Sequence, residues 1–144
     1  MLTVEESVVV NKPRIEVWEF MTDPDNVPVY CSNIVEYELV SGGKLEVGRI
    51  CRGVAKVAGR RLELTDEMVE VERGRGGKLV SEDATIPYTL SLHYEDEGDG
   101  TKVTWHQEME SLKGFFKFAD PIVLKMYARD VRSNLEKVKT ILEA

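Results

Sequence analysis

The run YTLSLHYEDEGDGTKVTWHQEM, residues 88–109, decides the fold. Gly98-Asp99 between Glu97 and Gly100 reads as a two-residue hairpin turn, and such a turn fixes the register of both strands. Tyr94 then faces Val103, Leu92 faces Trp105, Leu90 faces Gln107 and Tyr88 faces Met109. All eight share one sheet face, and seven of them are apolar or aromatic. The other face pairs Glu95 with Lys102, His93 with Thr104 and Ser91 with His106, which is a wetted surface. A slip by one residue would drive both histidines among the aromatics, so the apolar match itself selects the register.

Outward from the hairpin, the same period of two recurs. Asn33–Ser41, Val47–Val57, Arg61–Glu72 and Lys78–Asp83 read as strands, followed by Tyr88–Glu97 and Thr101–Ser111. Ser41-Gly42-Gly43, Ala58-Gly59 and the Gly74–Gly77 run read as the turns between them. Near the start, Thr3–Asn11 is rich in β-branched residues and reads as a first strand. Pro13 then opens a short helix carrying Val17, Trp18, Phe20 and Met21, and Asp23-Pro24 is the cap-and-start signal of another brief helical turn.

The C-terminal segment changes period. Pro121, Leu124, Ala128, Val131, Leu135, Val138 and Leu142 fall at spacings of three and four, one face of a long helix. Its front half also carries Ile122, Val123, Met126 and Tyr127 off that stripe, just after Phe115, Phe116 and Phe118. A helix apolar nearly all round has to be enclosed on more than one side. The expectation is a helix end that roofs an apolar cavity. Within the hairpin's inner face Gln107 is the exception, a buried amide satisfied by the protein or offered to a ligand.

Composition narrows the partners. The chain has 144 residues, the usual size of one domain, with 19 basic against 26 acidic side chains and a formal charge of −7. Nucleic acid is not an expected partner, because phosphate neutralisation needs a basic field. No apolar run approaches the roughly 20 residues of a spanning helix, so no integral membrane association is expected. The glutamates of MLTVEESVVV stand where an export signal carries lysines, which points to the cytoplasm. Cys31 and Cys51 fit no metal spacing and only His93 and His106 supplement them, so packing thiols and no metal or cofactor are expected. Phosphate-loop, dinucleotide and nucleophile-elbow motifs are absent. The composition sets no oligomeric state.

Strand, two short helices, six strands and a long helix together resemble the helix-grip fold of the START-like superfamily. The nearer likeness is to its polyketide cyclase/dehydrase and lipid-transport branch. Val8-Val9-Val10-Asn11-Lys12-Pro13 running into Val17-Trp18, Thr22-Asp23-Pro24, Val27-Pro28-Val29-Tyr30 and the Gly98-Asp99-Gly100-Thr101 turn carry the resemblance, with Leu135 to Leu142 at the end. Tyr30 stands where the family often shows tryptophan. The resemblance covers essentially residues 1–144 as a single domain. It implies an α+β architecture, a curved antiparallel sheet of about seven strands wrapped around the C-terminal helix, with a cavity between them.

The implied function is binding of a hydrophobic small molecule, a lipid or polyketide-like compound. Its pocket would draw on Tyr88, Leu90, Leu92, Trp105, Gln107 and Met109 from the sheet, and on Phe116, Ile122 and Met126 from the helix end. Tyr30 and Tyr37 would line the entrance. The alternatives are a cyclase or dehydratase working in the same cavity and a protein-interaction module. An enzyme needs a positioned base and an oxyanion donor. Asp66 and Glu67 fall where the polarity alternation of their strand breaks, so one of them is a candidate to turn inward beside Arg49 or Arg52.

The register places both histidines on the wet face. Replacing His93 and His106 together should change the unfolding free energy by no more than about 0.5 kcal/mol. Denaturant titration checks this, and a larger loss would mean that the hairpin is paired one residue out of step.

Overall fold

The computed structural model describes residues 2–110 and 120–144. The elements run β1 (Leu2–Val10), α1 (Arg14–Thr22), a 3-10 turn (Pro24–Asn26) and α2 (Val27–Tyr30). Then come β2 (Ile34–Ser41), β3 (Ile50–Val57), β4 (Arg60–Glu72), β5 (Gly76–Ala84), β6 (Tyr88–Glu97), β7 (Gly100–Met109) and α3 (Asp120–Leu142). Among the described residues, seven strands form one open antiparallel sheet in the order β1-β7-β6-β5-β4-β3-β2. Five successive hairpins build it from β2 to β7, and β1 returns to pair with β7. Among the described residues no helix is long and apolar enough to cross a membrane.

The turn and the apolar pattern set the β6–β7 register as expected, with Tyr94 opposite Val103, Leu92 opposite Trp105 and Tyr88 opposite Met109. Gly98 supplies the positive φ of +58° that the first position of such a turn requires. Around α1 and α2 the local signals also hold. Asp23 accepts from the amide of Asp25, and Pro24 begins the 3-10 turn, where its missing N–H costs nothing.

Three elements differ from the sequence reading. The strand expected from Val47 begins at Ile50, because Gly42 and Gly48 take φ of +87° and +94° and the chain turns twice before it. The Gly74–Gly77 run is not all turn: Gly74 (φ +71°) and Arg75 belong to it, while Gly76 and Gly77 open β5. A Cβ on Gly76 would come within 2.6 Å of the Leu92 carbonyl, so glycine there permits close approach of strands beneath Trp18, whose Nε1 donates to the Gly76 carbonyl at 3.3 Å. The third difference is the front of α3. Val123, off the expected stripe, is fully buried, whereas Pro121 at its head is exposed. Val123, Tyr127 and Val131 stand four residues apart and share one ridge, which turns Ile122 and Met126 outward on the next.

The core joins Val131, Leu135 and Val138 of α3 to Val10, Trp18, Val103 and Trp105. Polar ties hold the helix against β1: Arg132 Nε meets Glu6 at 2.8 Å, and Lys139 Nζ donates to the Val9 carbonyl at 2.8 Å. Asn134, buried within the stripe, accepts from the Ser32 amide at 3.1 Å and donates to Asn33 Oδ1 at 2.8 Å. That pair fastens α3 to the segment between α2 and β2.

Leu135→Ala should therefore cost about 2–5 kcal/mol, a transfer and cavity penalty. Ile122→Ala should stay within about 0.5 kcal/mol. Equal losses in denaturant titration would contradict the rotated face of α3.

Candidate functional site

Between the inner sheet face, the α1–α2 segment and α3 lies a cavity of about 140 Å³. Alternation along each strand aims side chains into it, so β6 contributes Tyr88, Leu90, Leu92 and Tyr94 and β7 contributes Trp105, Gln107 and Met109. Tyr30 and Tyr37 line it as well, from α2 and β2. Ile122 and Met126 do not; they are 52% and 40% exposed. From α3 the cavity takes Tyr127 instead. Phe116 lies outside the described residues, as do Phe115 and Phe118.

Several polar atoms in the wall are paired. Gln107 Oε1 accepts from Trp105 Nε1 at 3.0 Å and from the Tyr127 hydroxyl at 2.8 Å. The Tyr30 hydroxyl donates to the Met21 carbonyl at 2.7 Å. Others are not. The buried hydroxyl of Tyr94, Nε of Arg49 and Oδ1 of Asp66 have no partner among the described residues. Arg49 and Asp66 are each only 2% exposed, and both line the cavity.

Asp66 continues an inward row with Leu62, Leu64 and Met68, so the strand keeps its alternation and only the polarity breaks. Glu67 and Arg52 point to solvent, and Arg52 pairs with Glu38 at 2.9 Å. Tyr37 donates to Asp66 Oδ2 at 2.7 Å and lies 3.5 Å from Arg49 Nη2, so its hydroxyl bridges the two charged groups. The other side of the guanidinium is anchored by Nη1, which donates to the carbonyls of Thr22 and Lys44 at 2.9 and 3.0 Å. Burial raises the Asp66 carboxyl from 3.8 to about 6, with the Tyr37 hydrogen bond and the Arg49 charge opposing it. Burial likewise pushes the Cys31 thiol up to about 12 and holds the Tyr37, Tyr88 and Tyr94 hydroxyls neutral by raising them.

The histidines stand elsewhere. His93 is exposed, and His106 sits 3.0 Å from Glu5 on the face opposite Trp105. Among the described residues no three His, Cys, Asp or Glu side chains gather as a metal site. Tyr94 is legible in the sequence as an inner-face residue of the hairpin, and Tyr127 as an off-stripe apolar residue. Their place in the wall follows from the sheet's order and the helix's rotation.

A family model for polyketide cyclase / dehydrase and lipid transport matches residues 1–143. The chain belongs to that family. Solved structures of similar proteins share its fold. TTHA0849 from Thermus thermophilus is 19% identical, with a TM-score of 0.84 over 96% of this chain and 95% of that one. A START superfamily protein from Mycobacterium smegmatis is 11% identical, with a TM-score of 0.79 over 98% and 97%. Major latex-like protein 151 from Panax ginseng is 17% identical, with a TM-score of 0.74 over 96% and 95%. They share the helix-grip fold. No curated protein matches the chain in sequence.

Asp66 also writes a pH dependence into stability. Its folded-state pKa lies above the unfolded one, so the folded chain holds the proton more tightly. This contribution is fully present below the unfolded value of 3.8 and is lost as pH rises through about 6. At most about 3 kcal/mol is involved. The stability difference between the parent and Asp66→Asn should therefore shift in favour of the variant from pH 4 to pH 7. Urea titrations giving a pH-independent difference would show that Asp66 is not buried as a titrating carboxyl.

Proposed function

We propose that the chain, acting as one START-like domain, binds a compact hydrophobic small molecule, lipid or polyketide-like, in this cavity. The observation that carries the reading is a partly open apolar cavity with a few convergent polar groups, the usual build of a small-molecule site. Its volume selects among ligands. About 140 Å³ is the scale of a cavity that accepts one aromatic ring, below the roughly 300–1,000 Å³ of pockets for drug-sized molecules. Single-ring compounds are therefore the natural first probes of the cavity. Buried free thiols at Cys31 and Cys51 suit a reducing, cytoplasmic setting.

A second reading is supported by Asp66. A carboxyl raised to about 6, bridged by Tyr37 to a guanidinium, has the composition that acid–base chemistry of the cyclase or dehydratase type requires. Turnover of an enolisable ligand by the parent, lost in Asp66→Asn, would favour it over simple carriage.

Trp105 reports on the binding reading. It is in the cavity wall, whereas Trp18 packs away from it on α1, under the Arg73 guanidinium at 5.8 Å. A single-ring apolar ligand should produce a saturable change in tryptophan emission that survives Trp18→Phe and disappears in Trp105→Phe. No saturable change across fatty acids, quinones, sterols and simple aromatics in the parent would sink the proposed function.

A further inference from the structure

The two unpartnered atoms of the charged cluster are not independent of each other. Nη1 of Arg49 is spent on two backbone carbonyls, which leaves the Nε–Nη2 edge of the fork facing Tyr37. Along that edge Nη2 meets the Tyr37 oxygen, and the same hydroxyl donates to Oδ2 of Asp66. Covalent geometry sets Nε beside Nη2 on the guanidinium and Oδ1 beside Oδ2 on the carboxylate. These are the two atoms without partners, on side chains buried in the cavity wall. A second hydroxyl beside that of Tyr37 would repeat its role, accepting from one group and donating to the other.

We propose that this edge recognises a hydroxyl group on the cavity's ligand, the oxygen accepting from Arg49 Nε and the proton donated to Asp66 Oδ1. The proposal rests on the binding reading above and names the chemistry it selects. Other groups match half of the edge. An ether or ketone offers Arg49 an acceptor and gives Asp66 nothing. A carboxylate would set a second negative charge against Asp66, and an ammonium would set its charge against Arg49. A hydrocarbon leaves both atoms unpaired, which is the costly outcome for buried polar groups.

Among the described residues the groups facing Asp66 are Tyr37 from β2, Arg49 ahead of β3, Cys51 on β3 and Tyr88 on β6. Burial raises the thiol and both phenols above their ordinary values, so they stay neutral while Asp66 titrates. An ionised carboxylate is the stronger acceptor. The hydroxyl preference should accordingly be larger above about pH 6 than below it.

Three matched single-ring probes test this in the parent protein: 4-ethylphenol, 4-ethylanisole and ethylbenzene, titrated calorimetrically at pH 8 and pH 5. At pH 8 the phenol should bind at least about tenfold tighter than either analogue, the scale of a hydrogen bond to a charged group. The advantage should shrink several-fold at pH 5. In Asp66→Asn the ratio of 4-ethylphenol to ethylbenzene affinity should fall toward one at both pH values. Equal binding of 4-ethylphenol and ethylbenzene, or of 4-ethylphenol and 4-ethylanisole, overturns the hydroxyl proposal and leaves the binding reading intact. Binding of none of the three overturns the hydroxyl proposal, and a matching failure of the fatty acids, quinones and sterols above overturns the binding reading with it. The parent comparison needs no variant and decides the matter even where Asp66→Asn does not fold.

Discussion

One helix cannot cover seven strands, and the cavity follows from that mismatch. Six inter-strand spacings of about 4.8 Å make the sheet roughly 29 Å wide, whereas a helix with its side chains spans only about 10–12 Å. α3 lies against β1, held by the Arg132–Glu6 and Lys139–Val9 contacts. The α1–α2 segment closes part of the remaining face through Trp18, Met21 and Tyr30, all nearly inaccessible to solvent. Asn134 ties these two covers together across Ser32 and Asn33. The inner residues of β3 to β6 that neither cover reaches line the space between them, and that space is the candidate site.

The charged cluster sits where that apolar row is interrupted. Leucine at position 66 would continue Leu62, Leu64 and Met68 and would avoid burying a carboxyl. Asp66 is kept tolerable by Tyr37, which accepts a contact from Arg49 and donates to the carboxylate. Arg49 is itself held by carbonyls from two separate segments, Thr22 at the end of α1 and Lys44 in the β2–β3 connection. The cluster therefore staples the mouth of the sheet to the helical cover, and its placement depends on both.

How much of this the chain announces depends on how local the cause is. The β6–β7 register is readable because turn chemistry and a period of two both act within twenty-odd residues. Asp66 is readable as a break in polarity, though its direction and its partner are not, since Arg49 reaches it only through Tyr37 on another strand. The front of α3 departs from its stripe for the same reason. A row of seven apolar residues defines a face, but Val123 competes with Pro121 for burial, and the sheet's position decides between them. Gly76 is similar: its need for close approach exists only once β6 and Trp18 are in place.

Apolar walls alone would make a permissive site. A methylene more or less in such a pocket discriminates by about 1–3 kcal/mol, while a buried polar group left unpaired by the wrong ligand can reject it by several orders of magnitude. The Gln107 carbonyl oxygen takes up both the Trp105 and the Tyr127 donor protons. Arg49 Nε and Asp66 Oδ1 have no partner among the described residues. On the proposed function a division of labour follows from this contrast: shape and apolar contact would set which molecules enter, and the unpaired Arg49–Asp66 edge would set which of them is held.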